Sequence, residues 1–158
     1  MAKAASSSAS SGDAPSWGLA FLRLYVGWVL MSAGYAKVVA DTGADFVTAQ
    51  SARIAASPNW YRWFGEDVVL ANAGLFAFLI QWGELVGGVL LFLGALTRPV
   101  GIAVAFMMVN FYFCGPVGQQ GYVLLMLVTA LACAISRAGH RMGLDGWVGE
   151  SLPRAVTW

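Results

Sequence analysis

The chain has 158 residues, 59% of them hydrophobic and only 11% charged. A soluble domain carries about a quarter charged residues, so this chain cannot coat itself for water, and lipid is its expected solvent. Nine Lys and Arg against eight Asp and Glu leave almost no net charge, which argues against nucleic acid as a partner, since that would demand a basic stripe.

Residues 1–17 are rich in Ser and Ala. Such a segment buries too little apolar surface to order itself, and it reads as a flexible cytoplasmic tail. The apolar stretch that follows is too long for a signal-peptide core and lacks a compact basic lead, so a cleaved leader is not expected. A first span runs from about 18 to 40, long enough to cross a hydrocarbon core of about 30 Å at 1.5 Å per residue. It carries Arg23 near one end and Lys37 near the other, where long basic side chains snorkel.

Residues 41–67 form the longest polar interval. Within it, Phe46, Val47, Ile54 and Ala55 sit at helical spacing, which predicts a short amphipathic helix lying on the membrane, ended by Pro58. Trp60, Tyr61, Trp63 and Phe64 follow as an aromatic cluster suited to the headgroup belt. A second span is expected over 68–96, with one acid, Glu84, near its middle. Thr97, Arg98 and Pro99 read as a tight turn. The third and fourth spans, about 100–114 and 122–135, are short for free-standing spans and are expected as a hairpin packed on the longer pair. Two domain limits follow: a membrane domain over 18–147 and a C-terminal cytoplasmic tail over 148–158. The predicted fold is an all-α integral-membrane four-helix bundle with the short amphipathic helix in its first external loop.

Orientation follows from the basic residues. Lys3, Arg23, Arg98, Arg137, Arg141 and Arg154 fall on one side, and Lys37, Arg53 and Arg62 on the other. The larger set marks the cytoplasm, so both termini are expected inside and the aromatic loop outside.

The informative residues are those that lipid rejects. Arg23, Gly27, Leu30, Gly34 and Lys37 recur at steps of four and three along span one, and Gln81, Glu84, Gly88, Leu91, Ala95 and Arg98 do the same along span two. Each stripe joins small residues, which let helices approach closely, to polar ones that turn inward. The two stripes are expected to face each other or a shared cavity. A carboxylate at mid-membrane costs about 2.5–3.5 kcal/mol, so Glu84 should be paired or protonated. Counted by helix rise from the centre of each span, Arg23 is the better partner and Lys37 the second. Such a pair either fixes helix register or exchanges a proton. Asn110, in span three, either bridges helices or meets a ligand. Arg98 reads as an interface anchor or as an anion contact.

Cys114 and Cys133 lie near opposite ends of their spans, too far apart for a disulfide, and both read as apolar fillers. The one histidine, His140, lies in the tail. With no Cys/His cluster no metal site is expected, and with no phosphate-binding glycine loop no nucleotide site is expected.

Three pieces carry a resemblance: RLYVGWVLMSAGYAKV at 23–38, GELVGGVLLFLGALTRPVGI at 83–102, and GLDGW at 143–147. In order and spacing they resemble the DoxX/DoxD-type membrane proteins, over about residues 18–147. The resemblance implies a subunit of a bacterial or archaeal plasma-membrane complex. Some such proteins are subunits of thiosulfate:quinone oxidoreductases. Many others have no assigned activity, so one expectation is a quinone-linked oxidoreductase subunit with no covalent cofactor, embedded in lipid beside other subunits. A quinone between helices would take hydrogen bonds from Arg23, Lys37 or Asn110 and a proton from Glu84, while Lys37 and Arg98 are alternative contacts for a small sulfur anion. A non-catalytic scaffold subunit is the other reading. A transporter is a third and weaker one, because one buried acid without a polar run makes a poor water path.

Overall fold

The computed structural model describes residues 17–40, 45–115, 118–136, 139 and 143–148. Both predicted tails, and with them Lys3, Arg137, His140, Arg141 and Arg154, lie outside or almost outside these residues. The described chain runs α1 (Trp17–Val39), α2 (Phe46–Ala55), α3 (Asn59–Trp63), π1 (Phe64–Leu70), α4 (Ala73–Leu93), α5 (Thr97–Cys114), α6 (Gln120–Ile135) and α7 (Asp145–Val148). No strand occurs among the described residues. Helices α1, α4 and α5 are long and apolar enough to cross a membrane. At 16 residues, α6 reaches only about 24 Å and is the shorter fourth member. The protein is an all-α, multi-pass membrane bundle.

Two antiparallel pairs build it: α1 with α4, and α5 with α6. Glycines set the first pair. A Cβ at Gly34 would lie 2.3 Å from the Leu85 amide nitrogen, one at Gly88 2.3 Å from that of Met31, and one at Gly27 2.5 Å from that of Phe92. Gly88 thus packs between Gly27 and Gly34, backbone against backbone, in the manner of small-residue contacts in lipid. The two polar and small stripes do face each other. In the second pair Gly101 lies against the backbone of Ala130 and against Ala134. Val26, Leu30, Leu91, Val104, Met108 and Met126 meet between the pairs as part of the buried core. Phe21, Trp28, Phe106 and Ile135 are each more than half exposed and face outward as a lipid-contacting surface.

The predicted amphipathic helix is present as α2, which ends at Ala55 just before Pro58. It buries Phe46 and Ile54 against the bundle. The span expected over 68–96 is instead divided. Residues 64–70 wind as a π-helix, and α4 begins only at Ala73. Gly65 permits the wide turn to settle on α2, since a Cβ there would lie 2.5 Å from the Ile54 side chain. π-turns of this kind recur at functional sites. The aromatic cluster divides too: Trp60 and Trp63 are exposed, while Tyr61 is buried and Phe64 half-buried.

Candidate functional site

Lys37 and Glu84 form an ion pair across the α1–α4 interface. The glycine contacts dictate it. With Gly88 against Met31, the last turn of α1 comes level with Glu84, and Arg23 comes level with Gly94. The expected Arg23–Glu84 pair is therefore not formed, and Lys37 takes its place. Glu84 is 3% exposed and Lys37 36%, so the ammonium sits at the mouth and the carboxylate beneath it. Lys37 Nζ also lies 5.8 Å from the ring centre of Phe111, within cation–π range.

The pair belongs to a chamber of about 520 Å³ enclosed by α1, α2, α4, α5 and α6. Its exposed rim includes Asp45, Arg53, Gln119 and Tyr122. Its floor is the apolar core, where Leu30, Met108 and Met126 are buried. Beside it lies a second cavity of about 450 Å³, almost wholly apolar, between α4 and α5 and roofed by α2, α3 and π1. Phe46, Gln50, Ile80, Phe111 and Cys114 line both spaces and so form their common wall. The Gln50 carbonyl oxygen in that wall is buried and has no hydrogen-bond partner among the described residues, a costly state unless a ligand supplies a donor.

Asn110 reaches this second cavity. It bridges helices, as one of its two readings had it: its Oδ1 accepts the Tyr61 hydroxyl proton at 3.0 Å, and its Nδ2 donates to the Phe106 carbonyl at 2.9 Å. The Cys114 thiol donates to the Asn110 carbonyl at 3.0 Å and lies 3.8 Å from the Tyr61 oxygen. Cys114 is thus part of a polar cluster in the cavity wall rather than an apolar filler, whereas Cys133 is a buried core residue. Tyr61 lies outside the four spans. Burial, and next the neighbouring Cys114 thiol, push its phenol above the ordinary value.

The other expected contacts lie at the far end of the bundle. Arg23 is fully buried and packs on Gly94 and Gly143, where a Cβ would meet its guanidinium. Arg98 lies in the first turn of α5. Neither lines the two cavities, so Lys37 and Arg98 cannot share one small anion. At this end Gly94 and Leu96 both take positive φ, 66° and 52°. The turn aims the Leu96 and Thr97 amides at Asp145, whose Oδ1 and Oδ2 accept them at 2.7 and 2.9 Å. In return the Leu144 and Asp145 amides donate to the carbonyls of Leu93 and Gly94, at 3.0 and 2.9 Å. The GLDGW segment is thus a strap that closes the α4–α5 turn over Arg23.

The DoxX family model matches residues 18–116. The chain belongs to the DoxX family. No curated protein and no solved structure matches it. The matched stretch contains Arg23, Lys37, Glu84, Arg98 and Asn110, and both cavities draw mainly on it, whereas the strap of this DoxX protein lies beyond it. Among the described residues no three His, Cys, Asp or Glu side chains gather to hold a metal ion.

Proposed function

We propose that this DoxX protein is the quinone-binding subunit of a membrane redox complex. The observation that carries the reading is the common wall. An apolar cavity open to lipid and a polar chamber holding a lysine–glutamate pair meet at Phe46, Gln50, Ile80, Phe111 and Cys114. Ligand sites combine mostly apolar walls with a few convergent polar groups, at volumes of about 300–1,000 Å³. A quinone is a flat apolar ring with two carbonyl acceptors, and reduction adds two electrons and two protons. The electrons are assigned to a reduced partner subunit or its substrate.

The residues present fit such a ring. The Lys37 ammonium donates to a carbonyl oxygen, and the Gln50 carbonyl accepts from a quinol hydroxyl. Lys37 at the mouth of the chamber and Glu84 beneath it relay protons inward from the rim. Arg23 and Arg98 play no part in this binding. Orientation by basic residues places the chamber on the outer side of the membrane.

A scaffold role has one observation in its favour: the Lys37–Glu84 pair also ties α1 to α4. A transporter does not fit, because the chamber ends on the apolar core. Purification in mild detergent, organic extraction and titration with added quinone test the proposal. Extracted or saturably bound quinone, lost in Lys37→Gln and Gln50→Leu, is expected. A protein that carries no quinone and binds none when it is added would leave the scaffold reading.

A further inference from the structure

Not all the glycines of α4 serve helix contact. Gly88 is pressed onto the α1 backbone, but Gly83 and Gly87, on the face toward α5, are not. A Cβ at Gly83 would meet only the Met107 sulfur at 3.8 Å, and one at Gly87 only Val104 and Val100 side-chain carbons at 3.4 and 3.9 Å. Both would be accepted as ordinary contacts. These two glycines leave the space between α4 and α5 unfilled, and the contact between α4 and α5 is sparse beside that within either pair. What they leave is a slot. It follows α4 from Leu79 to Leu90, about 17 Å by helix rise. Val100, Val104 and Met107 form part of its other bank. Leu79, Val86 and Phe106 stand at its edge and are 51%, 48% and 70% exposed on the lipid-facing surface, so the slot opens sideways into the bilayer.

We infer that this slot holds the hydrophobic tail of the ligand whose head reaches the Lys37–Glu84 chamber, so that the substrate is a lipid-tailed quinone entering between α4 and α5. The inference rests on the quinone reading and adds the substrate class and its route. Adjacency argues for the occupant: the slot ends at the same wall of Phe46, Ile80 and Phe111 that bounds the polar chamber, so only the side chains of that wall stand between the two spaces. A molecule lying across that wall has its apolar part toward lipid and its polar part toward Lys37. A water-soluble anion would use the chamber and leave the slot without a role. Because the tail comes from lipid rather than water, its transfer gains little hydrophobic energy. Shape fit along the slot has to supply the preference.

The test compares two quinones of the same ring, one tail-less and one with a ten-carbon tail, titrated into the full-length protein in lipid nanodiscs. Tryptophan quenching reads binding, and affinities are corrected for partition into the lipid. The tailed compound is expected to bind at least about tenfold tighter. Filling the slot should erase that preference stepwise, from Gly83→Ala to Gly83→Val to Gly83→Val with Gly87→Val, until both compounds bind alike. Equal affinity of the two quinones for the unaltered protein would overturn the tail slot while leaving the quinone reading in place. So would a preference that survives in the filled variants, or a phospholipid chain that the tailed quinone does not displace. No binding of either compound would overturn both.

Discussion

Gly34→Ala probes the contact that sets the whole site. The added methyl would stand 2.3 Å from the Leu85 amide nitrogen and 2.7 Å from its Cα, where ordinary contact begins at 3.4 Å. Both neighbours are backbone, so no side chain can swing away. Helices α1 and α4 must separate by about 1 Å, and overpacking of this kind costs about 1–3 kcal/mol. The separation acts directly on the pair bridging the same interface, Lys37 and Glu84. Thermal unfolding in detergent, followed by the loss of native tryptophan fluorescence, measures the effect. Gly83→Ala is the matched control, because its methyl meets only Met107 at 3.8 Å. Gly34→Ala should melt well below the parent, and Gly83→Ala close to it. Equal melting of the two variants would refute the backbone-on-backbone register of α1 and α4.

Three further outcomes are expected. Asp145→Ala leaves the Leu96 and Thr97 amides without their acceptor, a loss of about 1–3 kcal/mol; Asp145→Asn, whose single carbonyl oxygen can replace only one carboxylate oxygen, should fall between, as read by melting and by proteolysis of the strap. Glu84→Leu alone leaves a partly exposed ammonium and should cost less than the about 3–5 kcal/mol of a fully buried broken pair; adding Lys37→Leu should recover the stability but not quinone binding, separating register from chemistry. The raised pKa of Tyr61 means that the folded protein holds the phenol proton more tightly than the unfolded chain does. Stability should therefore fall as pH rises through about 10, the unfolded value, and up to the higher folded one. Tyr61→Phe should flatten that part of the denaturation–pH curve while losing about 1 kcal/mol at neutral pH with the Asn110 hydrogen bond.

The spans and their inward stripes were legible because lipid leaves polar and small residues few other places to go. Helix α2 was legible from its apolar spacing and from Pro58. The ionic partner of Glu84 was not, and the reason is specific. Counting depth from span centres assumes that two antiparallel helices share a midpoint. Here the contact of Gly88 with Met31 brings Trp28, at the centre of α1, level with Leu91, about eight residues and hence about 12 Å from the centre of α4. Seating Gly88 between Gly27 and Gly34 would have found the register from the sequence, and Lys37 with it. The Tyr61–Asn110 bridge was hidden because Tyr61 read as one of four headgroup aromatics. Only the fold shows that α3 turns Trp60 and Trp63 outward and Tyr61 in. The π-turn at 64–70 and the common wall of the two cavities depend on contacts between distant segments, which no local pattern encodes. The GLDGW segment carries part of the family resemblance, yet its work, an aspartate accepting two amides some fifty residues earlier, is visible only in three dimensions.

The most direct measurement is photoaffinity labelling in native membranes with a quinone bearing a light-activated group on its ring, followed by peptide mapping. Label concentrated near Ile80, Phe111 and Cys114, and competed away by unmodified quinone, is the expected result. Light-dependent label confined to lipid-facing residues such as Phe21 and Ile135, or label that added quinone does not displace, would contradict a quinone site between these helices.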